Sequence, residues 1–233
     1  MAYIIQTRKL HKIYQVGDSV VHALAGVSFD VMPGEFVAVT GTSGSGKSTL
    51  LNVLAGLEPV TAGEITIDGN RLDGMSENQL VSFRREKVGF VFQSFNLIQS
   101  LNAAENVALP LTFRGEPRQQ RLEKARRMLE IVGLETHLQH LPLQMSGGQQ
   151  QRVGIARALV VSPKIIFADE PTGNLDSTNG AEIMQILRKI VKEQRQTVVM
   201  VTHDETLAHK ADRIIHLSDG RIYKEERLRP VGA

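Results

Sequence analysis

The stretch Gly41-Thr42-Ser43-Gly44-Ser45-Gly46-Lys47-Ser48 constrains the fold more tightly than any other part of the chain. It fits the pattern G-x-x-x-x-G-K-[ST], with an apolar run, Phe36-Val37-Ala38-Val39, before it and a helix-like run, Leu50 to Gly56, after it. A strand, a tight loop and a helix therefore follow in that order. Glycine and serine keep bulk off the loop, so successive backbone N–H groups can turn inward around phosphate oxygens at the positive end of the helix. Lys47 would then reach the terminal phosphates of a nucleotide, and Ser48 would ligate Mg2+. The loop by itself leaves open which kind of nucleotide hydrolase or kinase it serves.

At 233 residues the chain is one large domain or a domain with a small subdomain. It has no cysteine, which excludes disulfides and thiolate metal sites. Lys+Arg 27 against Asp+Glu 25 is nearly balanced, whereas a nucleic-acid binder carries a basic excess or stripe. No apolar run approaches the ~18 residues of a membrane span, and Met1-Ala2-Tyr3-Ile4-Ile5-Gln6 lacks the layout of a signal peptide. A soluble chain is expected, with any membrane role exercised through a partner.

Residues 3 to 31 carry short apolar stretches, Tyr3-Ile4-Ile5, Val20-Val21 and Val27 to Val31, broken at Gly17-Asp18-Ser19 and closed by Pro33-Gly34. This is the pattern of an antiparallel sheet, and Glu64 to Gly69 alternates like a further strand of it. Tyr14 either packs on that sheet or stacks on a base. Ser76-Glu77-Asn78-Gln79 reads as a capping box opening a short helix through Arg84, Arg85 and Lys87, whose charges read as a solvated face. Val88 to Phe92 reads as a buried central strand ending at Gln93. That amide either bonds backbone alone or bridges a Mg2+ ligand sphere and a mobile segment beyond it.

Residues 94 to 145 read as a helical insertion. Pro117 opens a segment with Leu122, Ala125, Met128, Leu129 and Val132 on one face and Gly133 as its stop, while Arg118, Arg121, Lys124, Arg126 and Arg127 take the solvent side. His137 and His140 are spaced to share a metal but lack a third ligand nearby in sequence. Met145-Ser146-Gly147-Gly148-Gln149 then opens a helix through Arg152 to Val160, a second helix terminus able to hold an anion.

Lys164 to Ala168 is a continuous apolar run before Asp169-Glu170-Pro171, as expected of a strand buried on both faces. Two carboxylates at such a strand end need cations or donors. Asp169 is the natural holder of Mg2+; Glu170 either orients and polarises a water for attack on a γ-phosphate or makes a structural salt bridge. Gly173 to Asp176 is a loop ending in an acid, followed by an amphipathic helix with Ile183, Ile186, Leu187, Ile190 and Val191 on its apolar face. The buried strand Val198 to Val201 ends at Thr202-His203-Asp204, where His203 either donates to a γ-phosphate oxygen or caps the next helix. His11, His22, His209 and His216 have no evident partners and are expected near the surface. Ile214 to Leu217 and Arg221 to Tyr223, joined at Asp219-Gly220, read as a terminal hairpin, and Lys224 to Ala233 as a solvated tail.

In this order and spacing the motifs resemble those of the ATPase subunit of ABC transporters, over nearly the whole chain. Gly41 to Ser48, followed by Thr49, is similar to the Walker A loop, Gln93 to the Q-loop residue, and Ser146-Gly147-Gly148-Gln149 to the signature. Ile165 to Asp169 with Glu170 resembles Walker B and its catalytic glutamate, Asp176 the end of the D-loop, and His203 the H-loop switch. Tyr14 falls where the family has its adenine-stacking aromatic. Met145 and Gln150 depart from the usual leucine and charged residue of the signature without touching phosphate donors.

The resemblance implies an α/β P-loop NTPase fold in a single domain, 1–233. Its mostly parallel core sheet and antiparallel β subdomain would take 1–93 and 161–233, and its helical subdomain 94–160. It also implies Mg2+-dependent ATP hydrolysis, with Lys47, Glu170 and His203 catalytic. The nucleotide would touch Tyr14, Gly41, Thr42, Ser43, Gly44, Ser45, Gly46, Lys47, Ser48, Thr49, Gln93, Ser146, Gly147, Gly148, Gln149, Asp176 and His203; the metal would be held by Ser48, Gln93 and Asp169. Two copies would pack head to tail as a homodimer around two ATPs, the signature of one closing over the Walker A loop of the other. A separate integral-membrane permease, reached through Ser94-Phe95-Asn96-Leu97, is the implied partner, with this chain cytoplasmic and peripheral on the cytoplasmic face of the inner or plasma membrane and no role for nucleic acid. Within the family, Gly89 to Leu97, Ala104 to Pro110 and Ala168 to Asp176 are most similar to the lipoprotein-release and macrolide or antimicrobial-peptide export group. A regulatory or mechanical module of the cell-division type, which transports nothing, is the alternative.

Overall fold

In the computed structural model, which describes residues 2–231, the chain opens with a hairpin. Strand β1 (Ile5–Val16) turns at Gly17-Asp18 and runs back as β2 (Ser19–Val27), the turn being tight enough to need the positive φ of Gly17, 58°. β3 (Asp30–Val31) pairs with the start of β1, and β4 (Phe36–Thr40) then leaves for a different sheet. After α1 (Lys47–Leu54), strand β5 (Ala62–Ile67) returns antiparallel to β1 and is followed by β6 (Asn70–Arg71). The expected antiparallel sheet is therefore present, in the order β2-β1-β5-β6.

The second sheet collects strands from the whole chain. α2 (Glu77–Lys87) leads into β7 (Val88–Val91); α3 (Ala103–Phe113), α4 (Arg118–Ile131) and α5 (Gly147–Leu159) follow, then β8 (Ile165–Asp169), α6 (Ser177–Gln194), β9 (Thr197–Thr202), α7 (Glu205–Ala208), β10 (Arg213–Ser218) and β11 (Arg221–Arg227). The strand order is β11-β10-β4-β9-β8-β7, parallel throughout except for the hairpin β10–β11. This is the expected α/β P-loop architecture. β7 is an edge strand and not a central one: it pairs with β8 alone, and its residues alternate between buried and half-buried. Its apolar character comes from α2 and α5 packed over it, not from strands on both sides.

Alternation along the parallel strands divides the core in two. Phe36 and Ala38 of β4, Ile166 and Ala168 of β8, and Val198 and Met200 of β9 face one way, into a cluster shared with α3, α4, α5 and α6. Val37, Val39, Ile165, Phe167, Val199 and Val201 face the other way, into a cluster shared with α1 and the antiparallel sheet. A side-chain period of two on strands covered on both faces produces this division directly.

The expected capping box at Ser76 is present, and Asn102 caps α3 as well. Gln79 Oε1 accepts from the Ser76 N–H at 2.8 Å, and Asn102 Oδ1 accepts from the Glu105 N–H at 2.8 Å. α4 starts after Pro117, buries Ala125 and Leu129, and stops before Gly133 at a φ of 73°. The basic cluster on α2 is only partly a solvated face. Arg84 donates to the Gly56 carbonyl and to Glu77, and Lys87 donates to Asp68 at 2.9 Å, because Leu80 and Phe83 seat this helix against the turn at Gly56; Arg85 is exposed.

Two expectations at the carboxy-terminal end are corrected. Lys224 to Arg227 continue β11, and the Leu228 and Arg229 N–H groups both donate to the Asp212 carbonyl, so this segment docks on the sheet. The last two residues of the expected tail, Gly232 and Ala233, lie outside the described residues, as does Met1. His216 is buried, its Nδ1 3.0 Å from Thr40 Oγ1 and its Nε2 3.0 Å from Glu226 Oε1. The strand pairing that sets His216 opposite Thr40 is what buries it. His22 and His209 are exposed and His11 half-buried.

Candidate functional site

The parallel strands β4, β9 and β8 lie side by side in register, Thr40 beside Thr202 and Asp169 beside Val201, so the segments leaving their carboxyl ends emerge together. In an open α/β sheet this edge is where ligands bind. The loop Gly41 to Gly46 leaves β4, Glu170 leaves β8 and His203 leaves β9.

The loop is shaped by close approaches. Gly46 caps α1 at a φ of 99°, and a Cβ there would stand 2.3 Å from the Ala23 carbonyl oxygen; a Cβ on Gly41 would stand 2.2 Å from that of Leu217. Only glycine fits at either position. No side chain caps the N-terminus of α1 and its first turn holds no acid, which leaves the positive end of the helix free for an anion. Lys47 is buried, its ammonium donating to the Gly41 and Thr42 carbonyls at 2.9 and 2.8 Å. Ser45 Oγ is buried with no hydrogen-bond partner. A buried ammonium directed into its own loop and an unsatisfied hydroxyl beside it fit a loop built around phosphate oxygens. Thr42, Ser43 and Gly44 are exposed on its outside.

Ser48 Oγ donates to Asp169 Oδ1 at 3.3 Å, joining α1 to the end of β8. Burial raises the Asp169 carboxyl above the usual aspartate range; the Ser48 hydroxyl pulls it down, neighbouring Glu170 pushes it up, and Lys47 pulls it down again. A hydroxyl and a carboxylate side by side, short of positive charge, are oxygen donors suited to a hard cation. Gln93, at the end of β7, lies against the next loop: its carbonyl accepts from Asn174 Nδ2 at 3.1 Å, and its Nε2 is 2.7 Å from where a Cβ on Gly173 would be.

The cost of the Asp169 charge gives a prediction. Because the folded-state pKa is raised, the penalty is absent in acid below the ordinary aspartate range and grows as pH rises through the folded value. At neutral pH Asp169→Asn is therefore expected to raise the thermal midpoint of the chain, and in acid the gain disappears. Unfolding scans across pH check both halves.

Glu170 and His203 meet: His203 Nδ1 stands 3.0 Å from Glu170 Oε2. Glu170 sits at a φ of 40°, a left-handed conformation that costs a non-glycine residue about 1–3 kcal/mol, with its N–H bonded to the Val201 carbonyl at 3.0 Å. That turn directs its side chain toward the end of β9. His203 does not cap α7; Asp204 does, accepting from the Leu207 N–H at 3.1 Å.

The second glycine turn is separately built. Ser146 caps α5, its Oγ accepting from the Gln149 N–H at 3.3 Å while Gln149 Oε1 accepts from the Ser146 N–H at 2.9 Å. Gln149 Nε2 also lies 3.1 Å from His137 Nε2. Asp176 caps α6: its Oδ1 accepts from the Asn179 N–H at 2.9 Å and its Oδ2 from Asn179 Nδ2 at 2.6 Å, and these bonds hold its carboxyl below the ordinary range. Asn179 also abuts Gly148, where a Cβ would be 2.3 Å from its Oδ1, so the turn at Ser146 and the loop at Asp176 are in contact.

A family model described as ABC transporter matches residues 24–173, which span the Gly41 to Ser48 loop, Gln93, Ser146 to Gln149 and Glu170. The chain belongs to the ABC transporter family. It is an ATPase of that family, with the fold of its ATP-binding cassettes, and the similarity extends to export relatives. The chain is 47% identical over 228 residues to the macrolide export ATP-binding/permease protein MacB of Aggregatibacter actinomycetemcomitans, a match covering 98% of this chain and 35% of that one. It thus spans about a third of the length of the MacB relatives it matches. It is also 47% identical to MJ0796 of Methanocaldococcus jannaschii, named as an uncharacterized ABC transporter ATP-binding protein, over 97% of this chain and 98% of that one. The solved dimeric structure of MJ0796 in a post-hydrolysis state, bound to ADP and Pi, superposes with a TM-score of 0.89 at 45% identity, covering 97% of this chain and 99% of that chain.

Some residues that tie these loops together escape a reading by motif. Gln151 on α5 is fully buried and donates through Nε2 to the Phe92 carbonyl at 3.2 Å and the Pro171 carbonyl at 2.7 Å, joining the segments that hold Gln93 and Glu170. Its presence among apolar neighbours on the inward face of α5 is the only local signal. Asn174 and Asn179 give none, since exposed loop asparagines are common.

Proposed function

We propose that the chain is the Mg2+-dependent motor of an ABC exporter and hydrolyses ATP between two copies of itself. The convergence of the Walker A loop, Asp169, and the Glu170–His203 pair at the ends of three adjacent strands carries this reading. The loop N–H groups, Lys47 and Ser45 hold the β- and γ-phosphates, with Thr49 on the first turn of α1 beside them and Tyr14 under the adenine. Ser48, Asp169 and Gln93 hold Mg2+, which when bound neutralises charge on the phosphate oxygens. Glu170 accepts a proton from the attacking water and holds it in line, and His203 keeps the Glu170 carboxylate in place while donating to the γ-phosphate. Ser146, Gly147, Gly148 and Gln149 of the facing copy close over that phosphate, with Asp176 setting the loop beside them.

The dimeric MJ0796 structure supports the paired arrangement, and the MacB relatives support export through a membrane permease on whose cytoplasmic face the dimer sits. No helix among the described residues is long and apolar enough to cross a membrane, so the permease is a further segment or chain. The helices between residues 94 and 160 form the subdomain that turns on the core when ATP binds, and Ser94 to Leu97 meet the permease. Ser146→Arg tests the shared site. ATP binding by calorimetry should persist, while dimerisation and turnover are lost; turnover at the normal rate would contradict a signature acting across the pair.

A further inference from the structure

Tyr14 is tied down by residues outside the motifs named above, together with Thr49 on the first turn of α1. Its hydroxyl donates to Glu58 Oε2, and Glu58 Oε1 accepts from Asn52 Nδ2 at 3.0 Å, on the last turns of α1. Lys12, two residues before Tyr14 on β1, has its ammonium 5.0 Å from the centroid of the tyrosine ring and 3.5 Å from Glu58 Oε2, and donates to the Pro59 carbonyl at 2.8 Å. The intervening Ile13 N–H donates to Thr61 Oγ1 at 3.0 Å. Residues 12 to 14 are thereby laced to the turn that follows α1. Burial and the Glu58 carboxylate raise the Tyr14 phenol against the Thr49 hydroxyl, which lowers it, while the tyrosine hydroxyl, the Asn52 amide and Lys12 hold Glu58 low despite its burial.

The lacing has a mechanical meaning. α1 begins at Lys47 and Ser48 and carries Asn52 on its way to Glu58, so Glu58 links the aromatic platform to the helix that grips the phosphates. A ring fixed before a base arrives loses little rotamer freedom on stacking, and a ring fixed to the phosphate-binding helix sets the span between base and phosphates in advance. Lys12 approaches the ring and Glu58 holds its edge.

We propose that Glu58 is a positioning residue for nucleotide binding: through the Tyr14 hydroxyl it holds the base-stacking ring at a fixed place relative to the Walker A helix. This rests on the reading of Tyr14 as the base platform. Glu58 touches no phosphate and no reacting atom, so it acts on affinity for ligands that have a base and leaves the chemical step alone.

The test compares wild type with Tyr14→Ala, Glu58→Ala and Glu58→Gln, measuring binding of Mg·ATP and of Mg·tripolyphosphate, which lacks a base, by calorimetry, together with KM and kcat for ATP. Glu58→Ala is expected to raise the Kd and KM for ATP about tenfold, within what base–aromatic stacking contributes, with kcat and tripolyphosphate binding unchanged. Glu58→Gln keeps an acceptor for the tyrosine hydroxyl and should recover most of the loss. ATP binding that falls in Tyr14→Ala but not in Glu58→Ala would overturn the positioning role. Equal losses for ATP and tripolyphosphate would overturn it too, since Glu58 would then be acting on the phosphate loop. An unchanged ATP affinity in Tyr14→Ala would instead remove the platform reading beneath it.

Discussion

Glu170→Gln is expected to bind Mg·ATP as tightly as the wild type and to turn it over about a hundred- to ten-thousand-fold more slowly, the range contributed by a positioned general base. The substitution keeps the size of the side chain and an oxygen able to meet His203, so the strained backbone at Glu170 and its bond to the Val201 carbonyl are undisturbed. What disappears is the negative charge and the capacity to accept a proton. His203→Ala should then cost turnover by leaving Glu170 Oε2 without its neighbour 3.0 Å away, while the carboxylate itself remains. Single-turnover assays on the two variants separate the roles: the glutamine variant is blocked at cleavage, and the alanine variant is slowed there. A Glu170→Gln protein that hydrolyses ATP at the wild-type rate would remove Glu170 from the chemistry.

Lys47→Ala is expected to abolish measurable ATP binding. The ammonium is buried with two loop carbonyls as its partners, and phosphate oxygens are far better acceptors for it. Losing two charge-assisted hydrogen bonds, each about 1.5–3 kcal/mol, weakens binding by roughly a hundred- to ten-thousand-fold. A second effect points the same way. Lys47 helps to hold down the Asp169 carboxyl, so removing it leaves that residue less ready to hold a cation. Calorimetric titration with Mg·ATP reads the loss, and retention of wild-type affinity would mean that the loop amides alone bind the phosphates.

The turns and caps were the legible part of this fold, because each is encoded within four or five residues. Gly17-Asp18 and Asp219-Gly220 close hairpins as two-residue turns, Ser76 and Ser146 cap helices, and Gly133 ends one. The motif residues can be picked out one at a time, and the parallel strands bring three of their segments to one edge. What could not be read is the pairing of distant strands. Nothing local to Val88–Val91 says that only β8 flanks it, and its apolar residues suit a central strand as well as an edge covered by helices. His216 was misplaced for the same reason, although its spacing from Ile214 offered a signal: a period of two puts both on one face of a buried strand. The charged run Lys224 to Arg227 looks like a tail until Arg213 and His216 provide partners for Glu225 and Glu226. The contact between Glu170 and His203 joins the ends of two strands far apart in sequence, so each was read on its own, Glu170 toward a water or a salt bridge and His203 toward the phosphate or a helix cap.

The central claim is that ATP holds two copies of this chain together, and the mass of the Glu170→Gln protein in solution tests it most directly. With saturating Mg·ATP, sedimentation equilibrium should give twice the 25.7 kDa of one chain, falling to a single chain when ATP is replaced by ADP. A protein that binds ATP at full occupancy and yet sediments as one chain would contradict it.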